Sequence, residues 1–236
     1  NCGVKITDRQ VVIGADWVPK NHPILKWGIF KTKRISPFDK LDTQIKEIQE
    51  FDPKIMTAYP SCARALAKEI KDRDIQGIKM RSIFTGGETL DPYTRRLVEN
   101  TFEAEIFDGY GANEVGVVSI ECAKHCGYHI LEDFVVCEIL RDGEQAAVGE
   151  EGEITVTNLT NYAMPFIRYN LEDQGSLIGD QCSCGNSFPL MKVSQGRKSD
   201  VVRLPDGRVV SALAVYCGLP FISGIKQFQI IQERLD

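Results

Sequence analysis

The chain has 236 residues, 43% of them hydrophobic and 26% charged, with a formal net charge of -5. That is an ordinary globular balance, long enough to bury a proper core as one large domain or two modest ones, and its acidity argues against a nucleic-acid binder or a polybasic membrane binder. No apolar run approaches the roughly 20 residues that span a bilayer, and the start at Asn1-Cys2-Gly3 shows no basic n-region followed by an apolar h-region. The expectations are therefore a cytoplasmic protein with no membrane partner. The first residue is not Met, which suggests a processed product or a piece of a longer chain.

Val11-Val12-Ile13-Gly14 reads as a short strand, and residues 19–37, with prolines, lysines and aromatics in no clear period, read mostly as loop. Leu41, Ile45 and Ile48 recur at helical spacing, which predicts an amphipathic helix from Leu41 to Phe51, stopped by Asp52-Pro53. Lys54 to Tyr59 reads as a buried strand. Pro60-Ser61 then opens a second helix with Ala63, Leu66, Ala67 and Ile70 on one face. Ser82 to Thr85 is the next strand. After Gly86-Gly87-Glu88, Asp91 is a good N-cap and Pro92 suits the first helical position, with Leu97, Val98, Thr101 and Phe102 facing inward. Glu105 to Phe107 is the following strand, ending in a second glycine-bearing turn.

Strand and helix thus alternate over residues 54–111, which implies a parallel sheet with helices packed on it and ligand-binding turns along one edge. Beyond Glu114 the pattern changes. Val135 to Leu140, an Asp142-Gly143 turn and the alternating Glu153 to Thr157 are antiparallel signals. Val201 to Leu204 and Arg208 to Val210 flank Pro205-Asp206-Gly207 as one more hairpin, Ala212 to Cys217 reads as a short helix, and Lys226 to Gln232 as a strand. The fold class is α/β. Residues 1–116 form a nucleotide-binding subdomain with a parallel sheet, 117–196 a β-rich, barrel-like subdomain, and 197–236 a hinge and the truncated start of a C-terminal domain.

The second turn carries an aromatic face at Tyr110, close backbone approach at Gly109 and Gly111, an amide at Asn113 and a carboxylate at Glu114. A nucleotide with a divalent cation can use all of these. Each also has a plainer reading. Gly109-Tyr110-Gly111 alone reads as a tight turn with a packed aromatic, Glu114 as a helix-start carboxylate, Asp173 as a solvated loop acid, and Arg197 beside Lys198 as an exposed charge cluster.

The order of the motifs favours the functional reading. Tyr59-Pro60-Ser61, Gly86-Gly87-Glu88, Asp108-Gly109-Tyr110-Gly111-Ala112-Asn113-Glu114, Arg168 to Asp173, and Gly196-Arg197-Lys198-Ser199-Asp200 follow one another as in adenylate-forming enzymes. Over about residues 41–200 the chain most resembles the phenylacetate–CoA ligase branch, with its F390 synthetase-like and CapK-like relatives. The resemblance implies that Tyr110 stacks on adenine and that Gly86, Gly87 and Glu88 line the same pocket, with Asp108, Gly109 and Gly111 beside it. It implies Glu114 for Mg2+, Asn113 toward phosphate where the commoner pattern has Thr or Ser, Asp173 on the ribose hydroxyls, and Arg197 near ribose and phosphate. Ser199 and Asp200 fall at the hinge, Ser199 where many relatives are acidic.

Eight cysteines include two tight groups, Cys122 with Cys126 and Cys182 with Cys184, beside His125 and His129, while Cys2, Cys62, Cys137 and Cys217 are scattered. Clustered thiols with histidine in a core-rich chain suggest a metal site. Cys122, His129, Cys182 and Cys184 supply three sulfurs and one imidazole, a set suited to closed, structural Zn2+, and zinc-binding members of the same branch look similar there. Cys126 and His125 stay open as alternative ligands.

By resemblance, the reaction is an AMP-forming acid–CoA ligase reaction. ATP and a carboxylic acid, aromatic by analogy, give an acyl-adenylate and pyrophosphate, and CoA then takes the acyl group. The family's phosphate loop and C-terminal lysine are not found, so the expectation is an incomplete ligase, with a homodimer as one expected assembly. The alternatives are an F390 synthetase-type nucleotidyl transferase and a catalytically inactive zinc-stabilised binding module.

Overall fold

A computed structural model of the chain describes residues 3–5, 7–14, 31–197, 201–203, 209–211 and 231–234. The chain divides into two compact units. One comprises Asn1–Gly111, Ser119–Cys126 and Ser183–Gly185, and the other Ala112–Val118, Gly127–Cys182 and Asn186–Asp236.

In the first unit the strands β1 (Arg9–Ile13), β2 (Lys31–Ile35), β3 (Ile55–Ala58), β4 (Ser82–Gly86) and β5 (Glu105–Ala112) run in the order β2-β1-β3-β4-β5. Every one of these pairings is parallel. Helices α1 (Leu41–Phe51), α2 (Pro60–Asp72) and α3 (Pro92–Phe102) connect and cover them. The apolar periods identified in the sequence become the core. Ile45 and Ile48 of α1, Leu66 and Ile70 of α2, and Val98 and Phe102 of α3 are buried with Val11, Met56, Ile83 and Ile106 of the strands. Each such side chain contributes about 1.5–3 kcal/mol on burial. Asp91 caps α3: its Oδ1 accepts from the Tyr93 and Thr94 amides at 2.9 Å each, and its Oδ2 from the Thr94 hydroxyl at 2.6 Å. Asp52 ends α1 in the left-handed region at φ 44°.

Two stretches differ from the sequence expectation. Residues 31–35, read as loop, form β2, a basic strand in which only Ile35 is buried. Its ladder comes from β1, and lysines suit an outermost strand because they discourage pairing with another chain. The stretch Gly109-Tyr110-Gly111, read as a turn, is extended strand continuing to Ala112. Gly109 pairs with Gly86 in the β4–β5 ladder, so the turn falls instead at residues 113–115.

Strand β6 (Gly116–Glu121) follows that turn. In the second unit β7 (Tyr128–Ile130), β8 (Val135–Arg141), β9 (Glu144–Gln145), β10 (Gly152–Asn158), β11 (Tyr169–Ile178) and β12 (Leu190–Arg197) take the order β7-β12-β11-β10-β8-β9. All five pairings are antiparallel. The order is linear among the described residues, an open sheet where the sequence suggested a barrel-like form. Asp142 and Gly143, with φ of 52° and 87°, make the expected tight β8–β9 turn. Ile139, Ile154 and Val156 are fully buried on one sheet face.

Strands β13 (Val201–Arg203) and β14 (Val209–Ser211) pair antiparallel as the expected hairpin. The helix expected at Ala212 to Cys217 lies outside the described residues, as does most of Lys226 to Gln232. Ile231 and Gln232 are described and are not strand. No helix among the described residues is long and apolar enough to cross a membrane.

Candidate nucleotide and metal sites

The parallel ladder sets Gly86 beside Gly109 at the carboxyl ends of β4 and β5. Only a bare backbone fits at Gly86, because a Cβ there would lie 2.9 Å from the Gly109 carbonyl oxygen. Gly87 follows at φ 78°, a conformation glycine adopts without strain. Glu88 is exposed and folds back to the start of α2, where its carboxylate accepts from the Ser61 amide and hydroxyl, both at 2.9 Å. Tyr110 is half-buried near the end of β5, and Asn113 and Glu114 are exposed in the turn that follows. The Glu114 carboxylate offers hard oxygen donors of the kind Mg2+ prefers.

Asp108 has a different setting. It is buried and its Oδ1 accepts from the Thr85 hydroxyl at 2.5 Å, which clasps β4 to β5 from within. The side chain is an internal brace under the glycine stretch. Beneath it lies a polar network that the sequence analysis did not identify. Arg95 of α3 donates to both Glu121 carboxylate oxygens, at 2.9 and 2.7 Å, and to the Ile106 carbonyl at 3.0 Å. Glu121 also accepts from the Asp108 amide at 3.1 Å and meets His125 Nδ1 at 3.2 Å. The one available signal was Glu121 itself, an acid closing the largely apolar stretch Val117-Val118-Ser119-Ile120.

In the second unit β11 gains residues relative to β10. Glu153 pairs with Gln174, but Thr155, two residues on, pairs with Asn170. Bulges of this kind re-aim side chains, and Glu172 sits inside this one at φ 61°. Asp173, half-buried, is the ladder partner of Arg197 on β12. The two residues expected around the ribose are thus neighbours on one pair of strands. Ser199 and Asp200, the expected hinge, lie outside the described residues.

Asn158, another residue the sequence analysis passed over, ends β10 and donates from Nδ2 to the Val115 carbonyl at 2.7 Å. Its Oδ1 accepts from the Thr160 and Asn161 amides at 2.8 and 2.7 Å.

The thiols of Cys122, Cys182 and Cys184 and the imidazole of His129 each offer a ligand atom, and all of these lie within 4.8 Å of one another. A tetrahedral zinc site with Zn–S near 2.3 Å needs ligand atoms about 3.7 Å apart, so the donor set fits with a small contraction. His129 Nδ1 is 3.0 Å from the Phe188 carbonyl oxygen. A carbonyl only accepts, so Nδ1 carries the proton and Nε2 carries the lone pair a metal needs. His125 is committed elsewhere: its Nδ1 faces Glu121 at 3.2 Å and its Nε2 faces Glu105 at 3.0 Å. Cys126, the other alternative, is exposed and does not belong to the cluster.

Residues 32–162 match the AMP-binding enzyme family. The chain is 28% identical over 202 residues to a phenylacetate-coenzyme A ligase of Thermus thermophilus, covering 82% of this chain and 45% of that protein. It is 21% identical over 209 residues to Protein CapK of Staphylococcus aureus, covering 84% of this chain and 43% of that one. Among solved structures, a 2-hydroxyisobutyryl-CoA ligase in its postadenylation state superposes with a TM-score of 0.77 over 94% of this chain and 50% of its own, at 17% identity. That likeness shows the fold. The chain spans less than half the length of these curated relatives.

Proposed function

The chain belongs to the AMP-binding enzyme family, and on that premise we propose that it is part of an AMP-forming acid–CoA ligase of the phenylacetate–CoA ligase type. The reaction would join a carboxylic acid to ATP, giving acyl-adenylate and pyrophosphate, and then transfer the acyl group to the CoA thiol. An aromatic acid is the substrate we favour, since the relative from Thermus thermophilus is a phenylacetate-coenzyme A ligase. The observation that carries the reading is strand β5. Within the matched region it carries Gly109, Tyr110 and Gly111 past the glycine turn at Gly86, in register with it.

In this reading Tyr110 stacks on adenine and Gly86, Gly87 and Glu88 form the pocket wall. Asp173 accepts from the ribose hydroxyls, charge-assisted, with Arg197 beside it in the ladder. Asn113 donates to a phosphate oxygen. Glu114 holds Mg2+, whose charge, when bound, stabilises negative charge on the phosphates. Asp108 serves from behind, keeping β4 and β5 together through Thr85. Cys122, His129, Cys182 and Cys184 would hold structural Zn2+, a closed set of ligands that leaves no position for a reacting water. The described cysteines are all unbridged, which fits a reducing, cytoplasmic setting.

Calorimetric titration of AMP, and of ATP with Mg2+, into the zinc-loaded chain tests the reading. Saturable binding lost on Tyr110→Ala and on Asp173→Ala is the expected result. A folded chain that binds neither nucleotide overturns it.

A further inference from the structure

The turn that carries Glu114 leads from β5 into β6. The Val115 amide closes the turn on the Ala112 carbonyl at 3.3 Å, a long bond, and Glu114 itself is exposed. Val115 is buried, and its carbonyl takes the 2.7 Å hydrogen bond from Asn158 Nδ2. The other end of the same amide is fully used, since Oδ1 accepts from the backbone amides of Thr160 and Asn161 and from the Thr160 hydroxyl. The Asn158 backbone amide donates to the Phe166 carbonyl at 3.0 Å. Strand, loop and turn therefore meet at one side chain, 43 residues away from Val115 in sequence.

Only a primary amide can do this. The position demands a donor toward a carbonyl and an acceptor toward two N–H groups on one short arm. Aspartate keeps the acceptor and loses the donor. Serine keeps a hydroxyl oxygen but has no reach to Val115.

We propose that Asn158 is the positioning residue for Glu114, setting the turn so that the carboxylate meets a nucleotide-bound divalent cation. The inference rests on the reading of Glu114 as the cation-holding acid. The Asn158 side chain bonds to Val115, Thr160 and Asn161. It acts through the carbonyl of Val115, the residue after Glu114, so its loss frees the carboxylate to sample orientations that do not serve the cation. Losing one hydrogen bond of about 1 kcal/mol corresponds to roughly a fivefold weaker Mg2+-dependent affinity, with no effect on contacts that do not involve the cation.

The test measures two affinities by calorimetry on the zinc-loaded chain, Mg2+·ATP and AMP in EDTA, for the unaltered protein, Asn158→Asp, Asn158→Ser and Glu114→Ala. The expected result is that both Asn158 variants and Glu114→Ala weaken Mg2+·ATP by about fivefold or more. AMP affinity stays within twofold, and the melting temperature moves little. Serine carries no charge, so agreement of the two Asn158 variants excludes a merely electrostatic effect of the aspartate. If Glu114→Ala weakens Mg2+·ATP while both Asn158 variants bind it normally, the positioning role is overturned and the Glu114 reading stands. If AMP affinity falls in parallel with Mg2+·ATP, Asn158 is a structural residue only and the inference fails. If Glu114→Ala itself leaves Mg2+·ATP binding unchanged, the Glu114 reading fails and takes the inference with it.

Discussion

Arg95→Met tests the network under the glycine stretch most severely. The substitution keeps the aliphatic stem and removes the guanidinium, which makes two hydrogen bonds to Glu121 and one to the Ile106 carbonyl. Glu121 is left with the Asp108 amide and His125, in a place where its side chain is only 9% exposed. Removing one member of a buried pair costs about 3–5 kcal/mol, because the surviving charge is stranded. The Arg95 side chain is 23% exposed, so water partly replaces it and the lower end applies, about 3 kcal/mol. For a chain of this size that lowers the melting temperature by about 6–12 °C. Urea unfolding followed by far-UV circular dichroism measures it, with Arg95→Met/Glu121→Gln as the companion. Neutralising the stranded acid should recover about half of the loss. A single variant costing under about 1 kcal/mol, or a double variant as unstable as the two singles added, refutes the reasoning: the pair would then behave as an exposed one.

Three further outcomes follow from the geometry. Removing zinc with a tight chelator should lower stability by about 3 kcal/mol or more and make Cys122, Cys182 and Cys184 alkylatable together by site-resolved mass spectrometry; unchanged melting and labelling would count against the site. Gly86→Ala forces a Cβ to within 2.9 Å of the Gly109 carbonyl, so it should cost about 1–3 kcal/mol and weaken AMP binding, which equilibrium unfolding and calorimetry would show. Burial, with a smaller contribution from the Glu138 carboxylate, pushes the Cys137 thiol up from 9.0 to about 12. The unfolded chain ionises this thiol first, so its contribution to stability is intact below pH 9 and is lost as pH climbs toward 12, at about 1.4 kcal/mol per unit. Comparing urea midpoints of the unaltered protein and Cys137→Val at pH 8 and 10 isolates that loss, and parallel behaviour of the two would contradict it.

What the sequence discloses about the fold depends on how local the cause is. Helix α1 matches its expected span, Leu41–Phe51, because an apolar period and the Asp52-Pro53 stop lie within the segment itself. The α3 cap is also local, with every bond made within three residues of Asp91. Strand β2 has no such signal. Lys31-Thr32-Lys33-Arg34-Ile35 owes its extended form to pairing with β1, a partner some twenty positions earlier. The carboxyl half of β5 misleads for the same reason. Glycines flanking a tyrosine favour a turn when considered alone, yet the β4 ladder gives Gly109 a strand partner in Gly86.

The candidate site divides along the same line. Many of the groups expected to touch nucleotide fall in short strings, residues 86–88 and 108–114, because a turn brings neighbouring residues to one place. The groups that orient them come from afar: Ser61 meets Glu88 across 27 residues, Arg95 meets Glu121 across 26, and Asn158 meets Val115 across 43. No spacing rule links such pairs, so the sequence favoured His129 as the ligand but kept His125 open as an alternative. Two acids decide between them. Glu121 and Glu105 engage both ring nitrogens of His125, while the Phe188 carbonyl fixes the proton of His129 on Nδ1. A substitution that only reorients should therefore separate from one that removes a contact: Asn158→Asp should alter the response to Mg2+ and spare AMP, whereas Tyr110→Ala should abolish both.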